Sequence, residues 1–268
     1  MPGGIMTTKS RRPLSAVVGL TFIGAVLLGG IVFGLLSLLG GDEQESSPSA
    51  ASSSSTPSWS PAPTGESKDA IANRPMLDVG MDWQPQQEVR ATTPQLRLPA
   101  ATGRVNGIVR SGFPRTPEGA VAQLAALNQA AYEGFSPDRG REVHQAFALP
   151  GAVGLEVWEP TSTVQDYFVN NPGQLGQVSG NWAPVQGLVK GTADDGNWVL
   201  ACVLGRLTYS ANDDTKVLGV PDCARMQWSG GRWMLAPGPK PAEPTVTWPR
   251  SATSYRAGYR DLVGGGVG

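Results

Sequence analysis

The amino-acid sequence predicts an α+β domain, in which N-terminal helices pack on a curved antiparallel sheet, preceded by one transmembrane helix. Three patterns support this fold class: an uncharged apolar run over residues 14–39, helix-start signals at residues 116–118 and 136–137, and short runs rich in Val, Leu and Trp from residue 186 onwards. Helical spacing precedes strand-like spacing along the chain, which is the order expected of an α+β domain.

Residues 14–39 form a stretch of 26 residues without a charge. About 20 apolar residues suffice to cross the hydrocarbon core of a bilayer. A cleaved secretory signal is the alternative, but its apolar core is usually about 7–15 residues long. The flank before the run is basic and the flank after it is acidic, so we expect a cytoplasmic tail over residues 1–13 and an extracytoplasmic remainder, with the protein in the cell membrane.

Gly30 and Gly34 lie four residues apart within this predicted helix. Small residues at that spacing let two membrane helices approach closely, which predicts a possible homo-oligomer through the membrane helix, surrounded by membrane lipid. The alternative is that these glycines reflect only the general abundance of glycine in membrane helices.

A linker and a lead-in separate the membrane helix from the folded part. Residues 40–75 are rich in Ser and Pro, with nine serines between residues 46 and 60, and are predicted to be disordered because they offer little apolar surface. Residues 76–112 are interrupted by prolines and predict an extended lead-in. Residues 113–263 then fit one compact extracytoplasmic domain, and residues 264–268 a flexible tail.

Helix signals open the compact domain. Thr116 is placed to cap a first helix that continues to Gly134, with a proline at its first position. A second helix is predicted from a cap at Ser136 to the stop at Pro150, and a third over residues 161–169.

Strand signals follow, at residues 186–191, 197–210, 223–228 and 232–238. Gly230 and Gly231 predict a two-residue hairpin turn, which sets Trp228 opposite Trp233. At the end of the chain, Tyr255, Tyr259 and Leu262 fall on one face of a predicted C-terminal helix.

The two cysteines of the chain fall on neighbouring predicted strands. A hairpin turn centred on Asn212 and Asp213 places Cys202 directly opposite Cys223. Cross-strand neighbours lie about 4.5–5.5 Å apart between Cα atoms, within reach of a disulfide, and an extracytoplasmic compartment allows one to persist. Pro221 could shift this register, because proline cannot donate to the ladder. We therefore expect a Cys202–Cys223 disulfide.

No catalytic residue, cofactor site or metal site is predicted. The formal net charge of −1 and the single basic run at residues 9–12 argue against nucleic-acid binding. The one histidine, His144, has no obvious partner, and the pairs Asp194–Asp195 and Asp213–Asp214 lie in predicted turns, where Asp is favoured. Tryptophans of the soluble part could line a ligand cleft or, as is more usual, fill a core: Trp158, Trp182, Trp198, Trp228, Trp233 and Trp248.

Five segments between residues 104 and 262 carry a family resemblance. The words GFPRTPEGAVAQLAALNQAAYEG, REVHQAFALPG, WVLACVL, CARMQWSGGRWML and TWPRSATSYRAGYRDL resemble a poorly characterised family of single-pass membrane proteins from high-GC Gram-positive bacteria, linked to conjugation-type gene clusters. The family carries no known catalytic motif.

The layout of tail, single helix, stalk and small outer domain is also similar to the bitopic assembly components of type IV secretion machines. That similarity implies the cone-shaped fold of the nuclear transport factor 2 superfamily, although it does not explain the cysteine pair. It implies a non-enzymatic structural component of a conjugation or type IV secretion-like complex, with other membrane or secretion-complex subunits as partners. The alternative is an extracytoplasmic ligand- or cell-wall-binding module.

Overall fold

Three long antiparallel strands form the centre of the main sheet. The structure is a computed structural model and describes residues 66–91 and 93–265. Its strands are β1 (Leu96–Leu98), β2 (Gly103–Val105), β3 (Val109–Ser111), β4 (Ser179–Ala193), β5 (Trp198–Ala211), β6 (Asp214–Ser229), β7 (Arg232–Leu235) and β8 (Arg260–Gly264). Its α-helices are α1 (Lys68–Asn73), α2 (Pro117–Ala131), α3 (Pro137–Phe147), α4 (Glu159–Asn170) and α5 (Ala252–Arg256).

The main sheet has the order β1-β8-β4-β5-β6-β7, and β2 and β3 form a separate antiparallel ribbon. Every neighbouring pair in the main sheet is antiparallel except β1 and β8, which run parallel with Leu96 opposite Leu262. The fold is therefore α+β with a curled, mostly antiparallel sheet. The prediction of a purely antiparallel sheet is corrected at this one edge.

The curl of the sheet has a local cause in β4. Its pairing with β5 shifts register between Pro184 and Gln186 and again between Val189 and Gly191. Such bulges bend a strand and increase its twist. Together with strands of 14 to 16 residues, they roll the sheet into a half-barrel.

Helix α2 fills the concave side of this half-barrel. Val121, Leu124 and Leu127 are fully buried in one core with inward-facing residues of β5 and β6, and the alanines between them let the helix lie close to the sheet. Thr116 caps the helix as predicted, because its Oγ1 accepts a hydrogen bond of 3.1 Å from Gly119 N.

The next two helices differ from their predicted bounds. Helix α3 begins at Pro137, but Ser136 makes no capping hydrogen bond and the helix ends at Phe147, before Pro150. Helix α4 is longer than the predicted 161–169 at both ends. Strand β4 likewise begins at Ser179, before the predicted strand at 186.

The opposite face of the sheet is covered by the first and last segments of the described residues. Ile71 of α1 packs on Leu200, while Leu188 and Tyr259 surround the cysteine pair. The disorder predicted over residues 40–75 therefore does not extend to residues 68–73, which are helical. Ser67 caps this helix, and burial of its apolar residues against β4 and β5 holds it in place.

The predicted C-terminal helix is wrong beyond its first turn. Helix α5 ends at Arg256, and Gly258 adopts a left-handed conformation with φ of +93°. This conformation turns the chain into β8, so Tyr259 and Leu262 bury on opposite faces of the sheet instead of sharing a helical face. Gly264, assigned to the flexible tail, is the last residue of β8.

Within residues 66–91 and 93–265, no helix is long and apolar enough to cross a bilayer. The predicted membrane helix over residues 14–39, with Gly30 and Gly34, lies outside the described residues, as do the predicted tail over 1–13 and most of the linker.

Candidate functional site

The predicted disulfide is confirmed. Cys202 and Cys223 are bonded, with their Cα atoms 4.1 Å apart, and they face each other in the β5–β6 ladder. Pro221 does not shift the register, because it pairs with Leu204 in an unbroken series of partners. The bridge lies on the convex face of the sheet under Met76, where it is shielded from solvent and has a structural function.

His144 makes a structural contact. Its Nε2 lies 2.8 Å from Val153 O, and its ring is 5.5 Å from that of Trp158. The contact ties the loop after α3 back to the helix.

The aspartate pairs lie in turns, as their neighbouring residues indicate. Asp194, Asp195 and Asp213 all have positive φ, a conformation that Asp and Asn tolerate better than most residues. Asp194 forms an ion pair with Lys68 at 2.5 Å. Asp194 therefore links the β4–β5 connection to helix α1.

The tryptophans contribute mainly to the core. Trp182, Trp198 and Trp233 are fully buried, and Trp228 packs edge-on against Trp233 at 5.5 Å between ring centroids. Two of these tryptophans also line pockets: Trp158 borders a small cavity, and Trp182 borders a wider groove beside α2.

That cavity lies beside a carboxyl group that was not predicted. Asp222 points from β6 toward the helices and is 4% exposed. Its Oδ2 accepts a hydrogen bond of 2.8 Å from Asn128 Nδ2, on α2. Among the described residues, no lysine or arginine forms an ion pair with Asp222.

Burial, together with the smaller effect of the nearby carboxylate of Glu159, raises the pKa of Asp222 to about 7. The hydrogen bonds from Asn128 and from the backbone of Cys223 act in the opposite direction but do not compensate for the lost hydration. Near neutral pH this carboxyl is therefore close to half-protonated.

Asn128 completes the arrangement. Its Nδ2 donates to both Leu124 O and Asp222 Oδ2, whereas its Oδ1 is buried without a hydrogen-bond partner. A protonated carboxyl carries one donor and an ionised carboxyl carries none. The neutral form of Asp222 is thus the form that can satisfy the vacant acceptor of Asn128.

An ion pair forms the rim of the cavity. Lys240 Nζ lies 3.3 Å from Glu159 Oε2 and 3.1 Å from Glu243 Oε1. Burial raises the pKa of Glu159, with Lys240 opposing the shift. Burial lowers the pKa of Lys240, but the two glutamates outweigh it, so the pKa of the lysine is raised overall.

The enclosed space beside Asp222 is about 20 Å³. A cavity needs roughly 10–15 Å³ to hold one water molecule. Trp158 lines this space, and its buried Nε1 donor has no hydrogen-bond partner among the described residues. The arrangement can therefore hold a water molecule and a proton, but it has no room for an organic substrate. The described residues also contain no cluster of His, Cys, Asp and Glu able to hold a metal ion.

Two sequence signals point to this buried pair. Asn128 falls in the apolar stripe of α2, four residues from Leu124 and Tyr132, where a polar side chain needs a buried partner. Asp222 shares the inward face of β6 with Ala224 and Met226. Neither signal shows that Asn128 and Asp222 are partners, because their contact depends on the packing of α2 on β6.

Comparison with known proteins adds no family to this description. No protein-family model, no curated protein and no solved structure matches the chain.

Proposed function

We propose that the chain is a non-enzymatic, membrane-anchored component of a conjugation or type IV secretion-like complex, and that its described domain contacts other subunits. The observation that carries this proposal is an aromatic surface at one end of the domain, which we call the aromatic end. It consists of the partly exposed rings of Tyr167, Phe168 and Tyr209, which pack against the buried Phe135, and of the exposed side chains of Val169 and Leu175.

The aromatic end combines a rigid base with exposed aliphatic groups. The rings of Phe135, Tyr167 and Tyr209 lie 5.3 to 5.4 Å from one another between centroids. Val169, which follows Phe168 in the chain, is 76% exposed, and Leu175, which follows the Gln174 that accepts a hydrogen bond from Tyr167, is 67% exposed. Mutually packed aromatic rings with adjacent exposed aliphatics are typical of protein contacts, because such rings lose little conformational freedom on binding.

The order of helices and curled sheet also supports a nuclear transport factor 2-like cone as the proposed fold type. Two features depart from the expectation: the first and last segments of the described residues cover the convex face of the sheet, and β1 pairs in parallel with β8. The enclosed cavity of about 20 Å³ gives no support to the alternative of a ligand-binding module that works through an internal cleft, since such pockets usually measure about 300–1,000 Å³.

The proposal is tested by photo-crosslinking in the membrane of the native host. A crosslinking amino acid at position 169 should yield discrete products with membrane subunits encoded in the same gene cluster, identified by mass spectrometry. The matched control is Met81, which is 65% exposed elsewhere on the domain and should yield none of these products.

A double variant, Val169→Ser with Leu175→Ser, should lose these complexes without a change in thermal stability, because both side chains are largely exposed. Identical crosslinking patterns at positions 169 and 81, or complexes that survive the double variant, would refute the proposal.

A further inference from the structure

Two arginines face each other on the β2–β3 ribbon. Arg104 is the direct cross-strand partner of Arg110. Like charges in this position destabilise a sheet, because their Cβ atoms are about 4.5–5.5 Å apart. Burial lowers the pKa of Arg110, and the charge of Arg104 lowers it further, which shows that the two guanidinium groups interact. The contact between the two arginines therefore does not stabilise the ribbon, whose two strands have three residues each.

Each of the two arginines donates hydrogen bonds to neutral oxygen atoms of the domain. Arg110 donates to Gly265 O at 3.1 Å and to Gln129 Oε1 at 2.6 Å, and Arg104 donates to Ile108 O at 3.3 Å. Arg104 forms no ion pair with the described part of the chain. Its positive charge is therefore not neutralised by a neighbouring carboxylate there.

The two arginines border a groove of about 380 Å³ between the ribbon, the second half of α2 and the start of β4. This volume falls in the range of small-molecule sites, about 300–1,000 Å³. The amides of Gln129 and Asn181 also line the groove. We call it the arginine groove.

The groove contains donors suited to a tetrahedral anion. Each guanidinium carries five N–H donors in a planar fork, and two forks can engage different oxygens of one phosphate. Among the described residues, Glu133 at the rim is the one carboxylate that lines the groove. Its side chain is 64% exposed and lies 3.9 Å from Arg139 Nε, so solvent and a third arginine both weaken its repulsion of an anion.

We infer that the arginine groove binds a phosphate monoester or diester group carried by a larger molecule. Arg104 and Arg110 contact the phosphate oxygens. The apolar side chains that line the groove, including Ile108 and Ala130, contact the attached group. This site is separate from the aromatic end, and phosphate binding does not depend on the proposed subunit contact.

The test uses the full chain in detergent micelles and two sources of the same chemistry. Glycerol 3-phosphate is titrated by calorimetry as the soluble source. Micelles that contain phosphatidylglycerol, compared with micelles of a phosphate-free detergent, provide the lipid source. We expect saturable binding that weakens as salt concentration rises, since the contact is between charges. The titration that shows saturable binding identifies whether the phosphate is carried by a soluble molecule or by a lipid.

Three variants make the test specific. Arg104→Gln should weaken binding about tenfold through the loss of a charge-assisted contact, and Glu133→Gln should strengthen it about two- to fivefold. Arg141→Gln is the matched control, because Arg141 is a half-exposed arginine on α3 outside the groove, and it should leave affinity unchanged. No saturable binding in either arm, or equal affinities for wild type and Arg104→Gln, would overturn the inference. Because Arg104 is exposed, each variant should keep the thermal stability of the wild type.

Discussion

Replacing Asp222 with asparagine should stabilise the domain above pH 7 and leave its stability nearly unchanged near pH 4. The carboxyl is 4% exposed, and burial raises its pKa from 3.8 to about 7. Each unit of pKa shift corresponds to about 1.4 kcal/mol of preference for the protonated form. The full shift therefore sets an upper bound of about 4 kcal/mol on the gain.

The sign follows from proton binding. Between pH 4 and pH 7 the folded chain holds a proton on Asp222 that the unfolded chain has released, so rising pH favours unfolding. The stabilising contribution of this group is complete below pH 3.8 and is lost as the pH rises through about 7. Asparagine stays neutral throughout, and its amide can donate to the vacant Asn128 Oδ1.

The assay is urea unfolding of the full chain in detergent at pH 4, 6 and 8. We expect the free energy of unfolding of wild type to fall with pH by more than that of Asp222→Asn. Asp213→Asn is the control, because Asp213 is exposed in the β5–β6 turn, and it should follow the wild type. If Asp222→Asn is the less stable protein at pH 8, the carboxylate is stabilised by its site, and the reasoning is wrong.

Three further predictions concern the fold. Cys223→Ala should lower the free energy of unfolding by about 3 kcal/mol, because the bond to Cys202 closes a loop with a sequence separation of 21; reduction of the wild type should have the same effect in a chemical unfolding series. Gly205→Ala should destabilise the domain by about 1–3 kcal/mol in the same assay, because its Cβ would lie 2.2 Å from the Trp182 ring. Thr116→Ala should cost about 1 kcal/mol through loss of the α2 cap, measured as a lower thermal midpoint.

Each of these has an outcome that would contradict it. If the oxidised and reduced proteins were equally stable, the disulfide would add no constraint to the unfolded chain, and the prediction for Cys223→Ala would be wrong. Gly103→Ala is the control for Gly205→Ala, since no atom lies within 4 Å of its added Cβ, and equal losses for the two would exclude a steric cause. Thr116→Ser should retain the cap, so a loss equal to that of alanine would assign the effect to packing.

Local patterns predicted the β-hairpins well. The β5–β6 register follows from a turn at Asn212 and Asp213, and the β6–β7 register from the glycines at 230 and 231. In both hairpins the partners are close in sequence, so turn position alone determines which residues meet. The disulfide was predictable for the same reason.

Non-local pairings were not predictable in this way. Strand β8 was assigned to a helix because Tyr255, Tyr259 and Leu262 have helical spacing, whereas its conformation depends on partners in β1 and β4 far along the chain. The contact between Asn128 and Asp222 has the same origin. Each residue looked unexceptional in its own element, and only the packing of α2 on β6 brings them together.

The parallel pairing of β1 with β8 also has a consequence for biosynthesis. A ribosome delivers β1 long before β8, and β8 is the only strand that joins β1 to the main sheet of the described domain. Until the C-terminal segment emerges, Leu96 and Leu98 lack the strand that anchors them, and their backbone remains an open edge that another chain could pair with. The sheet is therefore completed only once β8 has been synthesised, and a nascent chain cut short before residue 260 would be expected to require a chaperone or to aggregate.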